Sequence, residues 1–530
     1  MVQLSSATER CAPLFIRRVE DIVRRFPHHV ALWVAGETYS YDQLWQASTV
    51  IAETLMHEKG EFCALIANKS FASYAAILGI MRAGKGYLPV ASDDPVDRIV
   101  TALAQICCPR VLSDDEGMAF AKIIANTCTD LTPMSLPDML ASAKTIAGRE
   151  LPAIREQEPC SLLFTSGSTG VPKGVITRHV AFAAYLDSVL AILRPQPDDR
   201  ISQLTPLTFD FSLHDIGLAW CCGAALYAID RNDSYSLPSF VSKHQLTFWS
   251  SVPSGWLSIE RLGALRPGNI ASLRTIVMGG EPVPLGLIVR CRQASPQAEF
   301  FNIYGPTETA VAVTISRWSD NYQALGEWPL GAPLPGNRIV LIDDHQQPVN
   351  AGERGQICIS GVQVAQGYVG GQPGATSRFV TLPGLQGVWY LTGDDGIQDA
   401  RHGLLFRGRR DAQWQVRGCR VERGEIEDLM RKVAETPHVA VLPVVGENAL
   451  VSSMVAFVEG SPFSIKEMRQ RCHHFLPDYF FPGQIIEMSL PRNRNMKTDY
   501  LALQHHLAQT ASGTNNQERR NATCSDQHSS

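Results

Sequence analysis

The chain has 530 residues, of which 45% are hydrophobic and 19% charged. This length exceeds what one hydrophobic core usually organises, so it predicts two or three domains, and the composition is ordinary for a globular protein. The formal net charge of −5 excludes a basic surface that could hold nucleic acid, and no apolar run reaches the length of a membrane span.

The 13 cysteines are scattered along the chain without a CxxC pair, and the first residues lack the apolar block of a signal peptide. Such cysteines indicate free thiols in a reducing compartment rather than disulfides or zinc ligands. The sequence therefore predicts a cytoplasmic protein with neither a nucleic-acid nor a membrane partner.

In chain order, the pattern predicts a strand at 62–67, a helix at 73–84, a strand at 273–280, a helix at 287–295 and a strand at 337–343. This alternation predicts α/β layers with largely parallel sheets. A dense charged run at 407–427 leads into a smaller α+β unit, and the last 23 residues contain no large apolar side chain, which predicts a disordered tail. The predicted domains are residues 1–409 and 410–505, followed by a tail at 506–530.

The sharpest motif is LLFTSGSTGVPKG at 162–174, where a strand-like run opens into glycines and hydroxyl residues before Lys173. Glycines let the backbone approach a polyphosphate, hydroxyls and amides donate to its oxygens, and lysine adds positive charge. The motif is neither GxxxxGK[ST] nor GxGxxG, because Lys173 stands between Pro172 and Gly174. It predicts a phosphate site, with a plain flexible turn as the alternative. The predicted phosphate contacts are Thr165, Ser166, Gly167, Ser168, Thr169, Gly170 and Lys173.

This loop resembles the signature loop of the adenylate-forming superfamily, which includes peptide-synthetase adenylation domains, acyl- and aryl-CoA ligases and luciferases. Further stretches resemble motifs of that family in the same order: MRAGKGYLPV (81–90), NIYGPTE (302–308), GERGQICISGVQVAQGYVG (352–370), YLTGDDG (390–396), LPDYFFP (476–482) and LPRNRNMKTD (490–499). The resemblance covers residues from about 15 to 505. It implies a large N-terminal domain of stacked α/β subdomains, a small mobile α+β C-terminal domain, and formation of an acyl-AMP from ATP with Mg²⁺.

The resemblance also implies roles for individual residues. Lys497 would bridge the carboxylate of the acid and the α-phosphate, and so stabilise charge as the bond forms. Tyr304 would stack on adenine and Glu308 would hold Mg²⁺. Asp394 and Arg409 would contact the ribose. The alternatives are that Tyr304 is a core tyrosine, that Asp394 is a turn aspartate, and that Glu308 and Lys497 are solvated charges. The other implied nucleotide contacts are Gly279, Gly280, Glu281, Asn302, Gly305 and Thr307.

Two further matched positions are implied in rotation of the small domain and in transfer of the acyl group to its acceptor. Asp411 corresponds to the hinge about which the small domain rotates, and Gly418 to a glycine that lets a phosphopantetheine arm pass. The sequence departs from the family at Met496, where many relatives carry glycine, and at Gln415, where they usually carry lysine. No GGxS-type phosphopantetheine site follows Lys497, so we expect a separate carrier protein as acceptor, with truncation of a larger synthetase as the alternative.

The stretch LTFDFSLHDIG at 207–217 bears on the substrate. In amino-acid-activating members of the family, the residue matching Asp210 pairs with the substrate ammonium, and a buried carboxylate needs such a partner. The alternative is that Asp210 caps a helix beginning near Ser212. The implied substrate contacts are Asp210, Phe211, His214, Ser251, Val277, Gly279, Ile303, Val311 and Ala312.

These contacts form a mostly apolar pocket that resembles threonine-type pockets, although His214 and Ala312 depart from that pattern. We therefore predict a free-standing ligase that activates a small or medium polar or aliphatic amino acid, with threonine favoured, and loads it on a phosphopantetheinylated carrier in trans. The alternatives are an acid–CoA ligase and a non-catalytic adenylate-binding protein.

Overall fold

The computed structural model describes residues 14–128, 130–142, 150–167, 171–230, 236–369, 378–446, 450–493 and 497–509. Contacts divide the chain into two compact units, Met1–Thr165 with Pro172–Ala412, and Ser166–Val171 with Gln413–Ser530. The domain boundary predicted after residue 409 lies close to this division. Residues 500–509 are helical, so the first residues of the predicted tail continue a helix, and the tail from residue 510 onward lies outside the described residues.

The helices of the described chain show the expected apolar faces and terminal signals. Ser40 and Gln43 form a reciprocal capping box at the start of the second helix, and Gly223 ends the eighth in a left-handed conformation with φ of 92°. The helices are α1 (Phe15–Arg25), α2 (Tyr41–Leu55), α3 (Phe71–Arg82), α4 (Val96–Leu103), α5 (Met118–Thr127), α6 (Leu136–Ala141), α7 (His179–Leu193), α8 (Phe211–Cys222), α9 (Leu237–His244), α10 (Pro253–Arg261), α11 (Leu285–Ala294), α12 (Asn321–Leu325), α13 (Arg423–Ala434) and α14 (Ile465–Phe475).

The strands are short, as the β-rich runs of the sequence predict. They are β1 (Val30–Val34), β2 (Glu37–Ser40), β3 (Phe62–Ile66), β4 (Gly86–Val90), β5 (Arg110–Ser113), β6 (Thr132–Ser135), β7 (Pro159–Thr165), β8 (Lys173–Arg178), β9 (Arg200–Gln203), β10 (Ala225–Ala228), β11 (Phe248–Ser251), β12 (Thr275–Gly279), β13 (Glu299–Tyr304), β14 (Thr314–Arg317), β15 (Ala332–Pro333), β16 (Asn337–Ile342), β17 (Arg354–Gly361), β18 (Phe379–Val380), β19 (Trp389–Asp399), β20 (Gly403–Arg409), β21 (Gln413–Val416), β22 (Cys419–Glu422), β23 (Val439–Val445), β24 (Val451–Val458) and β25 (Gln484–Glu487). The strands predicted at 62–67, 273–280 and 337–343 are confirmed as β3, β12 and β16, and the helices predicted at 73–84 and 287–295 as α3 and α11.

The first unit contains two sheets that are mainly parallel. One has nine strands in the order β15-β14-β13-β12-β11-β9-β10-β1-β2, and the strands between β13 and β1 run parallel. The other has six strands in the order β6-β5-β3-β4-β7-β8, with only the β7–β8 pair antiparallel. Every residue of β3, β4 and β12 is buried, as expected for parallel strands covered on both faces. The predicted α/β class is confirmed.

The prediction of largely parallel sheets is wrong for the third sheet of the first unit. Its strands β16, β17, β18, β19 and β20 pair antiparallel throughout. Strands that follow one another through short turns, without an intervening helix, pair antiparallel because a parallel connection requires a long crossover. Within the described residues, no helix is both long and apolar enough to span a membrane.

The second unit contains a five-stranded mixed sheet, β22-β21-β24-β23 with β25 against β24. Helices α13 and α14 pack on it around a core that includes Ile426, Met430, Met468 and Phe480. Helix α14 begins with a capping box between Ser464 and Glu467.

Candidate active site

The predicted phosphate loop connects the antiparallel strands β7 and β8. Thr165 pairs with Lys173 across these strands, so the loop between them is closed at its base. The Gly167 N–H donates to the Glu425 carboxylate at 3.1 Å, a contact within the second unit, so a carboxylate already occupies one amide predicted to bind phosphate. Ser168, Thr169 and Gly170 lie outside the described residues.

A buried cluster lies beside the base of this loop. The Tyr368 hydroxyl donates to Glu308 Oε1 at 2.5 Å, and Lys173 Nζ lies 5.6 Å from the centroid of the Tyr368 ring. Tyr368 is fixed because Val369 N donates to the Gly174 carbonyl at 2.9 Å. Lys173 and Glu308, both predicted from the sequence, are therefore brought together around a tyrosine that the sequence reasoning did not assign. The only signal for Tyr368 was its place in the GYVG end of a matched motif.

The chemistry of this cluster fits Mg²⁺. Glu308 supplies a fully buried carboxylate oxygen, a hard ligand. The part of the chain that the structure describes contains no group of three or more histidine, cysteine, aspartate or glutamate side chains suited to a metal. Mg²⁺ commonly binds through one or two carboxylates together with substrate phosphates and water, so a single buried carboxylate in one cluster with Lys173 suits it.

The predicted ribose site is a hydrogen-bonded network of three residues. Asp394 and Arg409 are paired across β19 and β20, and the two oxygens of Asp394 accept from Tyr304 Oη and Arg409 Nη1, each at 2.6 Å. Burial, together with the charge of Asp394, raises the pKa of Tyr304 well above its ordinary value, so its phenol keeps the proton that it donates. Tyr304 and Arg409, which are 105 positions apart in the chain, therefore hold the Asp394 carboxylate in a fixed orientation.

Replacing Asp394 by asparagine should raise the KM for ATP about tenfold, because a hydrogen bond to a charged acceptor is lost, and leave the KM for the acid nearly unchanged. Steady-state kinetics with each substrate varied in turn measures both constants. The matched control is Asp395→Asn, since Asp395 pairs with Arg354 and Arg410 instead. Equal effects of the two substitutions on the KM for ATP would contradict the assignment.

The predicted acid pocket lies at the carboxyl ends of β11, β12 and β13 and at the start of α8. Gly279 pairs with Ile303, and a Cβ at Gly279 would lie 2.6 Å from Ile303 Cγ1, so this wall has no room for a side chain at 279. The carboxyl edge of a parallel sheet is where ligands bind in open α/β folds. Five predicted pocket residues belong to one buried core cluster: Phe211, Val277, Ile303, Val311 and Ala312. Ser251 lies at the end of β11, where its Oγ accepts from Trp249 Nε1 at 3.0 Å.

Asp210 immediately precedes α8, which begins at Phe211, one residue before the position predicted from the sequence. It occupies the N-cap position, yet its side chain makes no capping hydrogen bond, so the alternative role as a helix cap is not what the structure shows. Burial raises the pKa of Asp210 to about 6, and the neighbouring charge of Glu308 also raises it, while the Thr307 hydroxyl and the backbone N–H groups of Phe211 and Asp210 favour the ionised form. No ion pair to this carboxylate is found among the described residues.

His214, one turn further along α8, is fully buried and its Nδ1 lies 2.6 Å from the Tyr185 hydroxyl. Burial lowers the pKa of His214 to about 3 and raises that of Tyr185 well above its ordinary value, so both side chains are neutral. If the phenol donates to Nδ1, the imidazole proton resides on Nε2. That Nε2 atom is buried and has no hydrogen-bond partner among the described residues.

Several predicted nucleotide contacts stand near this pocket. A Cβ at Gly305 would lie 2.6 Å from Ala312 Cα, so the turn after β13 packs directly on the pocket wall. Gly280 has φ of 81°, whereas Asn302 is buried within β13. Glu281 accepts from the amide and hydroxyl of Ser254, at 2.9 and 3.1 Å, and thereby holds the first turn of α10.

The residue predicted as the hinge is tightly held within the first unit. Asp411 accepts from Arg378 Nη2 at 2.7 Å and from Arg409 Nε at 2.8 Å. Burial alone would raise the pKa of Asp411, but the hydrogen bonds and charges of these two arginines outweigh it and leave the pKa below its ordinary value. Sequence reasoning did not single out Arg378.

The other predicted residues of transfer and catalysis lie in the second unit. Gly418 has φ of 79° in the turn between β21 and β22, a conformation that favours glycine. Lys497 is exposed, and Asn493 holds its backbone through two bonds: Asn493 N donates to the Lys497 carbonyl at 2.8 Å, and Lys497 N donates to Asn493 Oδ1 at 3.1 Å. Met496 lies outside the described residues.

Comparison with known proteins finds relatives along most of the chain. Residues 19–369 match the profile of a family described as AMP-binding enzyme. The delta-poly-L-ornithine synthetase of Acinetobacter baumannii is 30% identical over 494 residues, which are 90% of this chain and 35% of that protein. The D-alanine–D-alanyl carrier protein ligase of Lactiplantibacillus plantarum is 27% identical over 506 residues, which are 91% of this chain and 97% of that protein.

Among solved structures, the Vibrio cholerae adenylation domain AlmE, in complex with glycyl-adenosine-5'-phosphate, superposes with a TM-score of 0.84 at 26% identity. The alignment covers 96% of this chain and 100% of that one. The chain spans about a third of the length of the ornithine synthetase, and about 8% of a larger peptide synthetase, the tyrocidine synthase 3 of Brevibacillus parabrevis.

Proposed function

The chain belongs to the AMP-binding enzyme family and is a ligase that uses ATP to form an acyl-adenylate, and we propose that its acid is an α-amino acid. The observation that carries this proposal is Asp210. Its carboxylate stands at the edge of the predicted pocket, makes no capping bond and has a raised pKa. An α-ammonium group is the partner that such a carboxylate requires.

The proposed first step joins the acid to the nucleotide. A carboxylate oxygen of the amino acid attacks the α-phosphorus of ATP, the bond from that phosphorus to the bridging oxygen breaks, and pyrophosphate leaves. Lys497 stabilises the negative charge shared by the carboxylate and the α-phosphate, Lys173 faces the phosphates, and Asp394 orients the ribose. Mg²⁺ bound at Glu308 would neutralise phosphate charge.

The second proposed step transfers the aminoacyl group to a phosphopantetheine thiol of a carrier protein, with release of AMP. Support comes from the carrier protein ligase of Lactiplantibacillus plantarum, which aligns over 97% of its length and whose acid is D-alanine. The glycyl-adenylate bound to AlmE is a further case of a small amino acid on this fold. The alternative reaction of the same class is that of an acid–CoA ligase, in which the acyl group passes from the adenylate to the thiol of coenzyme A and AMP leaves.

The pocket favours a small or medium side chain. Its walls are mostly apolar, and Ile303 fills the space beside Gly279 so closely that a Cβ there would lie 2.6 Å from Ile303 Cγ1. The Nε2 atom of His214 offers a buried donor to a side-chain oxygen, which is consistent with threonine or another small polar amino acid.

The proposal is tested by amino-acid-dependent exchange of labelled pyrophosphate into ATP, screened over the standard amino acids and over acids without an amine. We expect exchange with one or a few small α-amino acids, led by threonine. Exchange only with acids that lack an amine, together with coenzyme A-dependent product, would contradict the amino-acid assignment and support the CoA ligase. Absence of exchange with every acid, in protein that melts cooperatively, would support a non-catalytic adenylate-binding protein.

A further inference from the structure

The wall of the acid pocket contains a strained turn. Ala310 and Val311 have φ of 52° and 74°, and Ala312 N donates to the Ala310 carbonyl at 3.0 Å, which closes a tight turn around Val311. A positive φ is costly for any residue with a Cβ and most unusual for a β-branched one. Such a conformation persists only where the surrounding structure imposes it.

One side chain from outside the turn contacts several of its carbonyls. Gln363 Nε2 lies within hydrogen-bond distance of the carbonyls of Thr309, Ala310 and Ala312, at 3.0, 3.2 and 2.8 Å. Because carbonyl oxygens only accept, the amide nitrogen of Gln363 must face them, and its oxygen must face away. The side chain is 1% exposed, so water does not compete for these bonds.

The orientation of Gln363 is in turn set by Asn337, which lies at the start of β16. Asn337 Nδ2 donates to Gln363 Oε1 at 2.7 Å, and Gln363 N donates to Asn337 Oδ1 at 3.3 Å. A cavity of about 230 Å³ borders Thr307, Ala310 and Gln363. On the side that faces this cavity, the turn is therefore held by the hydrogen bonds of Gln363 rather than by close packing.

Building on the proposed function, we propose that Gln363 is a positioning residue for acid selection: it holds the turn at Thr309–Ala312 and thereby places the pocket wall formed by Val311 and Ala312. The turn also contacts the nucleotide motif, since Gly305 has no room for a Cβ against Ala312. The contacts that the Gln363 amide nitrogen makes, however, all go to carbonyls of the turn itself. Its loss should therefore affect the acid much more than ATP.

Gln363→Leu keeps the approximate volume of the side chain and removes its amide. We expect the KM for the preferred acid to rise about tenfold, discrimination against an acid one methylene larger or smaller to fall about tenfold, and the KM for ATP to change less than twofold, because a misplaced wall mainly costs selectivity. The matched control is Gln366→Leu, three residues further on and exposed, where the amide oxygen accepts from Arg178 at 2.8 Å.

Asn337→Asp provides a second variant that changes one atom. The substitution replaces the Asn337 amide nitrogen, a donor, by an oxygen that accepts and therefore repels Gln363 Oε1. The Gln363 amide then turns its nitrogen toward the new carboxylate and its oxygen toward the carbonyls of the turn. We expect the same loss of selectivity, and no further loss when it is combined with Gln363→Leu, since both act through one contact.

The experiment uses whichever acid the full-length protein activates, so it separates the two proposals. If the substrate lacks an amine, the amino-acid assignment fails while the selectivity test on Gln363 still applies. Equal rises in the KM for the acid and for ATP would overturn the role of Gln363. So would a lowered melting temperature with unchanged selectivity, or additive effects of the Gln363 and Asn337 variants.

Discussion

Replacing Lys497 by alanine is expected to lower the rate of acid-dependent pyrophosphate exchange about 100- to 1,000-fold, because a preorganised charge at the developing bond is worth that much in comparable sites. The side chain is exposed and its backbone is held by Asn493, so the substitution should leave the melting temperature within about 1 °C of the wild type. Initial rates at saturating ATP and acid measure the effect.

Lys466→Ala is the matched control for this prediction, since Lys466 is also exposed and lies in the same unit. It should leave exchange unchanged. The Lys497 variant should still transfer an acyl group from a chemically supplied acyl-adenylate to a thiol, because its proposed role belongs to the first step alone. Exchange within a factor of about three of the wild type in Lys497→Ala would contradict that role.

Replacing Asp210 by asparagine is expected to lower kcat/KM for the amino acid about 100-fold, because the ammonium loses its charged partner in a desolvated site. The same replacement should alter the pH dependence. Since burial raises the pKa of Asp210 to about 6, the wild-type kcat/KM should fall about tenfold for each pH unit below 6, as the carboxylate takes up a proton. In the asparagine variant, kcat/KM should not show this fall below pH 6.

The raised pKa also predicts a change in stability. The pKa of Asp210 is about 6 in the folded protein and 3.8 in the unfolded chain. Its ionisation therefore lowers the free energy of unfolding above pH 6, and this loss of stability disappears as the pH falls from 6 toward 3.8. Asp210→Asn should therefore melt at a higher temperature than the wild type at about pH 8, and the difference should vanish near pH 4. Thermal unfolding at several pH values measures it.

Asp198→Asn is the control for both effects, because Asp198 is exposed and precedes the first residue of β9. It should change neither kcat/KM nor the pH dependence of melting. Unchanged amino-acid kinetics in Asp210→Asn would remove the main support for an α-amino acid as the substrate, and a lower melting temperature at alkaline pH would show that Asp210 has a stabilising partner in the fold.

Sequence motifs predicted several residues of the candidate site because these residues lie in or close to strands. Lys173, Glu308 and Asp394 stand beside β-rich runs whose pattern and order are visible in the chain, and the structure places Lys173 and Glu308 around one tyrosine. Motifs say less about residues that act by contact across the fold. Tyr368 and Gln363 lie in a matched motif that assigned them no role, Tyr185 lies in none, and their partners lie up to 60 residues away.

The sequence by itself determined the α/β class, several strands and helices such as β3, β12, α3 and α11, and membership in a family that forms acyl-adenylates, because hydrophobic periodicity and short motifs are local properties of the chain. The state of each side chain was decided only by the tertiary structure. The sequence predicts Asp210 as a substrate partner with a helix cap as the alternative, and its missing capping bond and its burial are seen only in the structure. The strained turn at Val311 is likewise invisible in the sequence, since valine gives no sign of a positive φ that a distant glutamine imposes. Desolvation and strain arise from neighbours brought together by folding, and no local pattern records them.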